Sequence, residues 1–217
     1  MKNILNFVFA IMISSIIAFS ACTNGSFESF TDKNALTMEA EYVDIDEVAG
    51  AGISNSIDGL NMIIGEGTKE QKKMWSNGYY VGYTHNSMTE LEFVFNSSVA
   101  TTAYVTFMLG SEIGDIILNS DSIAVFVNGE NQILPNWKVI GSKMKMARFT
   151  ACKLPNPVAL NEGENKIIFK VLANNLGGHG ATRGPYIDCV RVSTRDTFAE
   201  LSWNPHVDNI QRRDGEV

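Results

Sequence analysis

The chain after residue 35 consists mostly of short segments rich in β-branched and aromatic residues, each bounded by turn-forming residues. Residues 91–95 alternate apolar and polar side chains, and residues 122–127 lead into Asn128-Gly129, a strong signal for a β-hairpin. Seven or eight such segments without amphipathic helices predict one all-β domain, an antiparallel β-sandwich. The predicted strands are residues 79–84, 91–95, 102–109, 122–127, 145–154, 165–172, 186–193 and 198–203, with a short one at 61–64.

The composition excludes several classes of protein. Hydrophobic residues make up 45% of the chain and charged residues 19%, which is typical of a globular domain and not of a disordered one. The net charge of -7 and the lack of a basic stripe argue against nucleic-acid binding. The common nucleophile, zinc-protease, phosphate-loop and Cys-x-x-Cys motifs are missing from the sequence. We therefore expect a protein that is not an enzyme, although two well-placed carboxylates could still support glycoside hydrolysis.

The amino terminus has the pattern of an export signal. Lys2 precedes an apolar run over residues 4–19, and Ser20-Ala21-Cys22 follows it. The run is too short for a comfortable membrane span of about 20 residues. The ending resembles a bacterial lipobox, with Phe19 in place of the usual Leu. This resemblance implies that Cys22 is lipidated and holds the protein on a membrane of the bacterial cell envelope, facing outside the cytoplasm. Simple secretion is the alternative.

These signals divide the chain into four parts. Residues 1–21 are the signal peptide, 22–35 a polar tether, 36–194 the β-sandwich, and 195–217 a carboxyl-terminal strand and tail. Export permits a disulfide between the two remaining cysteines, Cys152 and Cys189. Both could equally be buried small hydrophobes, and the sequence leaves the two alternatives open.

Two groups of residues carry chemical information. Glu39 and Glu41 would lie on one face of a strand, where two carboxylates need a positive partner such as Ca²⁺ or else lie at a solvated edge. The segments 75–86 and 174–186 combine aromatic, amide, histidine and arginine side chains. Aromatic rings stack on sugars, and planar amide or guanidinium groups bind their hydroxyls, although any single aromatic residue could belong to the core.

The order of five segments resembles carbohydrate-binding module families 6 and 35, which have the galactose-binding-like jelly-roll form of the β-sandwich. The segments are residues 38–41, 76–83, 123–129, 160–168 and 184–190, and the resemblance spans residues 36–194. It implies non-catalytic binding of a poly- or oligosaccharide and a structural Ca²⁺ held by Glu39, Glu41 and Asp188.

The resemblance also implies a sugar site in loops at one end of the sandwich. Tyr186 stands where the families use an asparagine, which puts the usual cleft in doubt. A protein-interaction or structural module with an envelope protein partner is therefore the alternative function. The candidate ligand-binding residues are Trp75, Tyr79, Tyr83, His85, Asn86, Trp137, His179, Arg183 and Tyr186.

Overall fold

The computed structural model describes residues 34–43, 63–66, 79–82, 84, 90–111, 114–141, 149–172 and 185–205. These residues form fourteen strands and a single turn of 3-10 helix, Ala40–Tyr42. No helix in the described ranges is long and apolar enough to cross a membrane. The strands are β1 Ala35–Glu39, β2 Ile63–Glu66, β3 Tyr79–Gly82, β4 Glu90–Ser97, β5 Thr101–Gly110, β6 Ile116–Leu118, β7 Ile123–Val127, β8 Glu130–Asn131, β9 Trp137–Val139, β10 Phe149–Lys153, β11 Val158–Leu160, β12 Gly163–Val171, β13 Tyr186–Thr194 and β14 Leu201–Ser202.

The strands pair into two main antiparallel sheets. The seven-stranded sheet has the order β10-β5-β13-β3-β2, with β1 also on β13 and β11 also on β5. The five-stranded sheet has the order β14-β4-β12-β7-β8, and β6 pairs with β9 separately. Because β14 pairs with β4, the sandwich continues beyond residue 194.

The core lies between the two main sheets. Buried residues alternate with less buried ones along β5 and β12, so each strand sends every second side chain inward. The ring centroids of Phe107 on β5 and Phe169 on β12 are 5.5 Å apart, which brings the inner faces of the two sheets into contact. Each fully buried side chain of this size contributes about 1.5–3 kcal/mol to folding. The predicted antiparallel β-sandwich is therefore confirmed.

The predicted hairpin at Asn128-Gly129 is also present. Asn128 and Gly129 have φ values of 52° and 85°, the left-handed conformations that a two-residue turn between antiparallel strands requires. Asn128 Oδ1 accepts a hydrogen bond from Lys166 N at 2.9 Å, which ties the turn to β12. The hairpin joins β7 to β8 as the sequence indicates.

Candidate functional site

Three aromatic side chains from different strands meet on the outer face of the seven-stranded sheet, the face turned away from the five-stranded sheet. Tyr80, Phe149 and Tyr186 form this group, called the aromatic cluster below. The rings of Tyr80 and Tyr186 meet edge to face, with centroids 5.2 Å apart. The centroids of Tyr80 and Phe149 are 6.5 Å apart. Tyr186 is 6% exposed, whereas Tyr80 and Phe149 are partly exposed and offer aromatic surface to a ligand.

Glycine makes room for the cluster. A Cβ atom at Gly82 would lie 2.7 and 2.8 Å from two ring carbons of Tyr186, so the ring packs directly on the backbone of β3. The hydroxyl of Thr84 donates a hydrogen bond to the carbonyl oxygen of Pro185. This bond links Thr84, the second residue after β3, to Pro185, the residue before β13. The start of β13 is therefore fixed against the end of β3.

Most of the predicted ligand-binding residues belong to segments that flank these strands. Tyr79 is the first residue of β3, and β3 pairs with β13 through Val81 and Ile187. Residues 83–89 follow the end of β3, and residues 173–184 come before the start of β13. Because the two strands are antiparallel, these two strand ends are neighbours. Six predicted residues lie outside the described ranges: Trp75, Tyr83, His85, Asn86, His179 and Arg183.

Trp137 belongs to the core and is not a stacking platform. Its side chain is 6% exposed, and its ring lies 6.0 Å from that of Phe107, centroid to centroid. Its indole Nε1 donates a hydrogen bond to Lys153 O at 3.1 Å. A buried tryptophan with its N–H group satisfied has no free face for a sugar, so the prediction that Trp137 binds ligand is wrong.

Three acidic side chains act electrostatically on the Cys189 thiol. Glu41 and Asp188 are fully buried, and Glu39 pairs in register with Cys189. Burial is the main reason that the pKa of Cys189 is raised. Asp188, Glu39 and Glu41 raise it further, and Arg191 opposes them. All three predicted calcium ligands are therefore within electrostatic range of one buried atom.

The local structure around these acids differs from the prediction in one respect. Glu39 is the last residue of β1 and Glu41 lies in the 3-10 turn, so the two carboxylates do not share a strand face. A register shift in β13 makes Asp188 an extra residue between Ile187 and Cys189, as in a β-bulge. Among the described residues, no group of three or more His, Cys, Asp or Glu side chains is arranged to hold a metal ion.

Cys152 and Cys189 are free, buried thiols. Of the two alternatives, a disulfide or two buried small side chains, the structure has the second. Cys152 lies opposite Phe107, and Cys189 lies opposite Met108 on the same strand, β5. Neighbouring residues of a strand point to opposite faces, and two strand spacings separate the cysteines by about 9.5 Å. A disulfide needs Cα atoms closer than about 7 Å, so the possible disulfide between Cys152 and Cys189 does not form. Burial raises the pKa of Cys152 to about 12.

The outer face of the seven-stranded sheet also contains a groove that the sequence did not indicate. It has a volume of about 410 Å³, within the usual range for ligand sites. Its residues come from β1, β5, β10 and β13, which lie far apart in the chain. Alternation along each strand was the only signal for them, and it marks an outward face without showing that the face is hollow. The polar and sulfur-containing lining includes Asn34, Thr37, Thr106, Met108, Arg191 and Ser193.

No protein-family profile matches the chain, and no curated protein matches it. Among solved structures, the chain is similar to a family 35 carbohydrate binding module from an environmental isolate, with 11% identity, a TM-score of 0.48, and coverage of 78% of this chain and 97% of that one. It is also similar to the CBM35 from Cellvibrio japonicus Abf62, with 11% identity, a TM-score of 0.46, and coverage of 78% and 98%. A family 35 carbohydrate binding module from Clostridium thermocellum is also similar, with 19% identity, a TM-score of 0.46, and coverage of 73% of this chain and 98% of that one. The structural neighbours thus include the family that the sequence resembles, at a distance too great to assign a ligand to this chain.

Proposed function

We propose that this protein is a non-catalytic glycan-binding module whose saccharide site lies at the aromatic cluster. The observation that carries the proposal is the pair of partly exposed rings, Tyr80 and Phe149, supported from below by Tyr186. A ring held in place by its neighbours loses little conformational entropy when the C–H face of a sugar stacks on it.

The polar half of the site would come from two segments, residues 83–89 after β3 and residues 173–184 before β13. His85, Asn86, His179 and Arg183 belong to these segments and supply the donors and acceptors that sugar hydroxyls need. The bond from Thr84 to Pro185 holds the two attachment points together. The binding free energy from stacking and exposed hydrogen bonds exceeds the entropy cost of ordering the ligand and the side chains by only a small amount, so we expect modest affinity.

Binding of a panel of glycans tests the site directly. Tyr80→Ala should weaken binding of the recognised glycan about two- to twelvefold, since loss of one aromatic contact is worth about 0.5–1.5 kcal/mol beyond its buried area. Phe198→Ala is the matched control, because Phe198 is 82% exposed and lies near the opposite end of β5. Equal losses in both variants, or no glycan bound at millimolar ligand in calcium, would contradict the proposal.

A structural Ca²⁺ near Cys189 completes the proposal. Glu39, Glu41 and Asp188 together carry three negative charges when ionised, and Arg191 supplies one positive charge. Carboxylate oxygens are the hard ligands that Ca²⁺ prefers, and three of them come from this one region of the fold. As placed, the carboxylates do not form a ready ligand group, so binding requires their side chains to turn toward the ion and carbonyl oxygens to join them.

Thermal unfolding with and without a chelator measures this calcium site. At calcium concentrations 100 times Kd, the ion stabilises by about 2.7 kcal/mol. For a domain of this size the chelator should therefore lower Tm by about 5–10 °C. Asp188→Asn should reproduce most of that loss, and the exposed control Glu130→Gln should leave the calcium effect unchanged. A Tm that does not respond to the chelator would refute the site.

We also propose that a lipid on Cys22 anchors the module to the cell envelope through the polar tether. Two or three acyl chains hold a protein stably on a membrane, because each buried CH₂ contributes about 0.8 kcal/mol. Cys22→Ala should release the protein from the membrane fraction. Continued membrane association of that variant would argue against the anchor.

One observation favours the alternative, an interaction module that binds an envelope protein. Tyr186 fills the position at which the resembled families have an amide, and its ring is 6% exposed. A ring packed under Tyr80 cannot contribute the hydrogen bonds of an asparagine. Recovery of one envelope protein in a pull-down that free sugars do not reduce would support this alternative.

A further inference from the structure

The side chain of Asn128, in the turn between β7 and β8, is held by three hydrogen bonds. Its Nδ2 donates to Asn165 Oδ1 at 2.9 Å and to Ala159 O at 3.3 Å. Its Oδ1 accepts a bond from Lys166 N at 2.9 Å. A backbone N–H group can only donate, so Oδ1 must face Lys166 and the NH₂ group must face the two oxygen atoms. These three bonds are called the amide clasp below.

The hydrogen bonds of Asn165 require the same arrangement from the other side. Its Oδ1 also accepts a bond from Asn161 N at 2.8 Å, which fixes this atom as the acceptor. Its Nδ2 donates to Asn161 O and Gly163 O, both at 2.9 Å. The side chain at position 128 must therefore be a donor, since a second acceptor there would face Asn165 Oδ1 without a proton between them.

Asn128 is followed by glycine, and Asn-Gly is the dipeptide in which an asparagine side chain reacts most readily with its own backbone. The Gly129 nitrogen loses its proton to a base in solvent and attacks Asn128 Cγ. The Cγ–Nδ2 bond breaks, ammonia leaves, and water then opens the resulting succinimide to aspartate or isoaspartate. Glycine carries no side chain that would shield its nitrogen. Gly129 is exposed, and a Cβ atom there would meet no atom within 4 Å, so solvent reaches the turn.

We propose that Asn128 is a deamidation site that the amide clasp protects in the folded protein. Nδ2 belongs to the leaving group, and while Nδ2 and Oδ1 are both bonded, Cγ cannot turn toward the Gly129 nitrogen. In the described part of the chain, β8 has two exposed residues and pairs only with β7. This hairpin therefore opens at a lower free energy than the core strands, and each opening exposes Asn128 to the reaction.

The reaction at Asn128 removes the clasp irreversibly. The carboxylate of aspartate has two acceptor oxygens and no donor, so the oxygen that replaces Nδ2 faces Asn165 Oδ1 and Ala159 O and repels both. Isoaspartate also adds a carbon atom to the backbone of a two-residue turn whose φ values are 52° and 85°. A converted molecule is therefore less stable than the original one. The site is independent of the proposed glycan binding.

Conversion rates in the folded protein and in a peptide measure the protection. The purified full-length protein and a blocked peptide of residues 125–132 are incubated at mildly alkaline pH. Mass spectrometry of proteolytic fragments follows Asn128, and enzymatic methylation detects isoaspartate. We expect conversion of Asn128 at least about tenfold slower in the folded protein than in the peptide, and equal rates once urea unfolds the protein. Equal rates in the folded protein and the peptide would overturn the proposal.

Two variants separate the clasp from global stability. Asn165→Ala removes one acceptor of Asn128 Nδ2 and should accelerate conversion in the folded protein at least about fivefold. Gly82→Ala is the control, because its Cβ atom would collide with Tyr186 in the other sheet and lower stability without touching the clasp. Equal acceleration in both variants would mean that global unfolding controls the reaction, and the proposed role of the clasp would be wrong.

A third variant measures the effect of the product. Asn128→Asp has the side chain that deamidation creates, and it should lower Tm by at least about 2 °C more than Asn131→Asp. Asn131→Asp makes the same charge change at an exposed position of the same hairpin. An equal Tm for the two variants would contradict the loss of the clasp on conversion.

Discussion

Replacing Gly82 with alanine tests whether the aromatic cluster is built as described. The new Cβ atom would lie 2.7 and 2.8 Å from two ring carbons of Tyr186, whereas carbon atoms in favourable contact are about 3.5–4.0 Å apart. The ring must retreat by roughly 1 Å, and Tyr80 blocks it edge-on at 5.2 Å. Overpacking of this kind costs about 1–3 kcal/mol. For a domain of this size the cost lowers Tm by about 2–12 °C.

A double-mutant cycle separates this clash from other effects of the substitution. Gly82 has no left-handed φ, so alanine introduces no backbone strain there. In the Tyr186→Ala background the contacts at 2.7 and 2.8 Å are gone and an approach of 3.1 Å to a ring carbon of Tyr80 remains. Most of the cost of Gly82→Ala should therefore disappear, which gives a coupling energy of about 1–3 kcal/mol. Gly114→Ala is the control, since its Cβ would meet no atom within 4 Å. Urea unfolding at fixed calcium measures the four proteins of the cycle and the Gly114→Ala control, and an equal cost of Gly82→Ala in both backgrounds would refute the packing described.

Three further predictions concern residues away from the cluster. Asn165 is 1% exposed, and its amide takes part in four hydrogen bonds of 2.8–2.9 Å. Asn165→Ala should therefore lower the free energy of unfolding in urea by about 2–4 kcal/mol. Asn131→Ala, at an exposed position, should change it by less than about 0.5 kcal/mol. Trp137→Phe should cost about 1 kcal/mol through its lost hydrogen bond and leave glycan affinity unchanged, because the ring is in the core; a large loss of affinity would restore Trp137 as a ligand contact. Cys152 and Cys189 should react with a thiol reagent only after unfolding, and rapid reaction of both thiols in the native protein would contradict their burial. Part of the free energy of unfolding should also be lost as pH rises from 9.0 towards 12, because the Cys152 thiol of the unfolded chain releases its proton at a lower pH than that of the folded chain.

The four longest strands, β4, β5, β12 and β13, were all predicted from the sequence, because each is long enough to show a repeating pattern. β4 alternates over eight residues and β12 over nine, so a period of two is visible in each. β6, β9 and β11 have three residues each, and their single buried–exposed–buried repeat cannot be distinguished from a loop. Their strand conformation comes from pairing with distant segments, which a local pattern does not contain.

The acidic residues show where a motif predicts proximity but not geometry. Glu39-Ala40-Glu41 suggested two carboxylates on one strand face, yet β1 ends at Glu39 and the chain turns. The carboxylates still lie near Asp188, because the turn packs against β13 and the bulge presents an extra residue there. The resemblance identified the three acids, and only the fold shows the turn and the bulge that bring them together.

The groove shows a different limit of sequence reasoning. Thr37, Thr106, Lys153 and Arg191 each occupy an outward position of an alternating strand, which by itself predicts a solvated polar side chain. Their significance arises from register, because three separate strand pairings align them in one row across β1, β13, β5 and β10. A shift of one residue in any of these pairings would turn that side chain to the opposite face of the sheet and break the row. The alignment of these four side chains on one face therefore depends on long-range strand register, which no local alternation pattern contains.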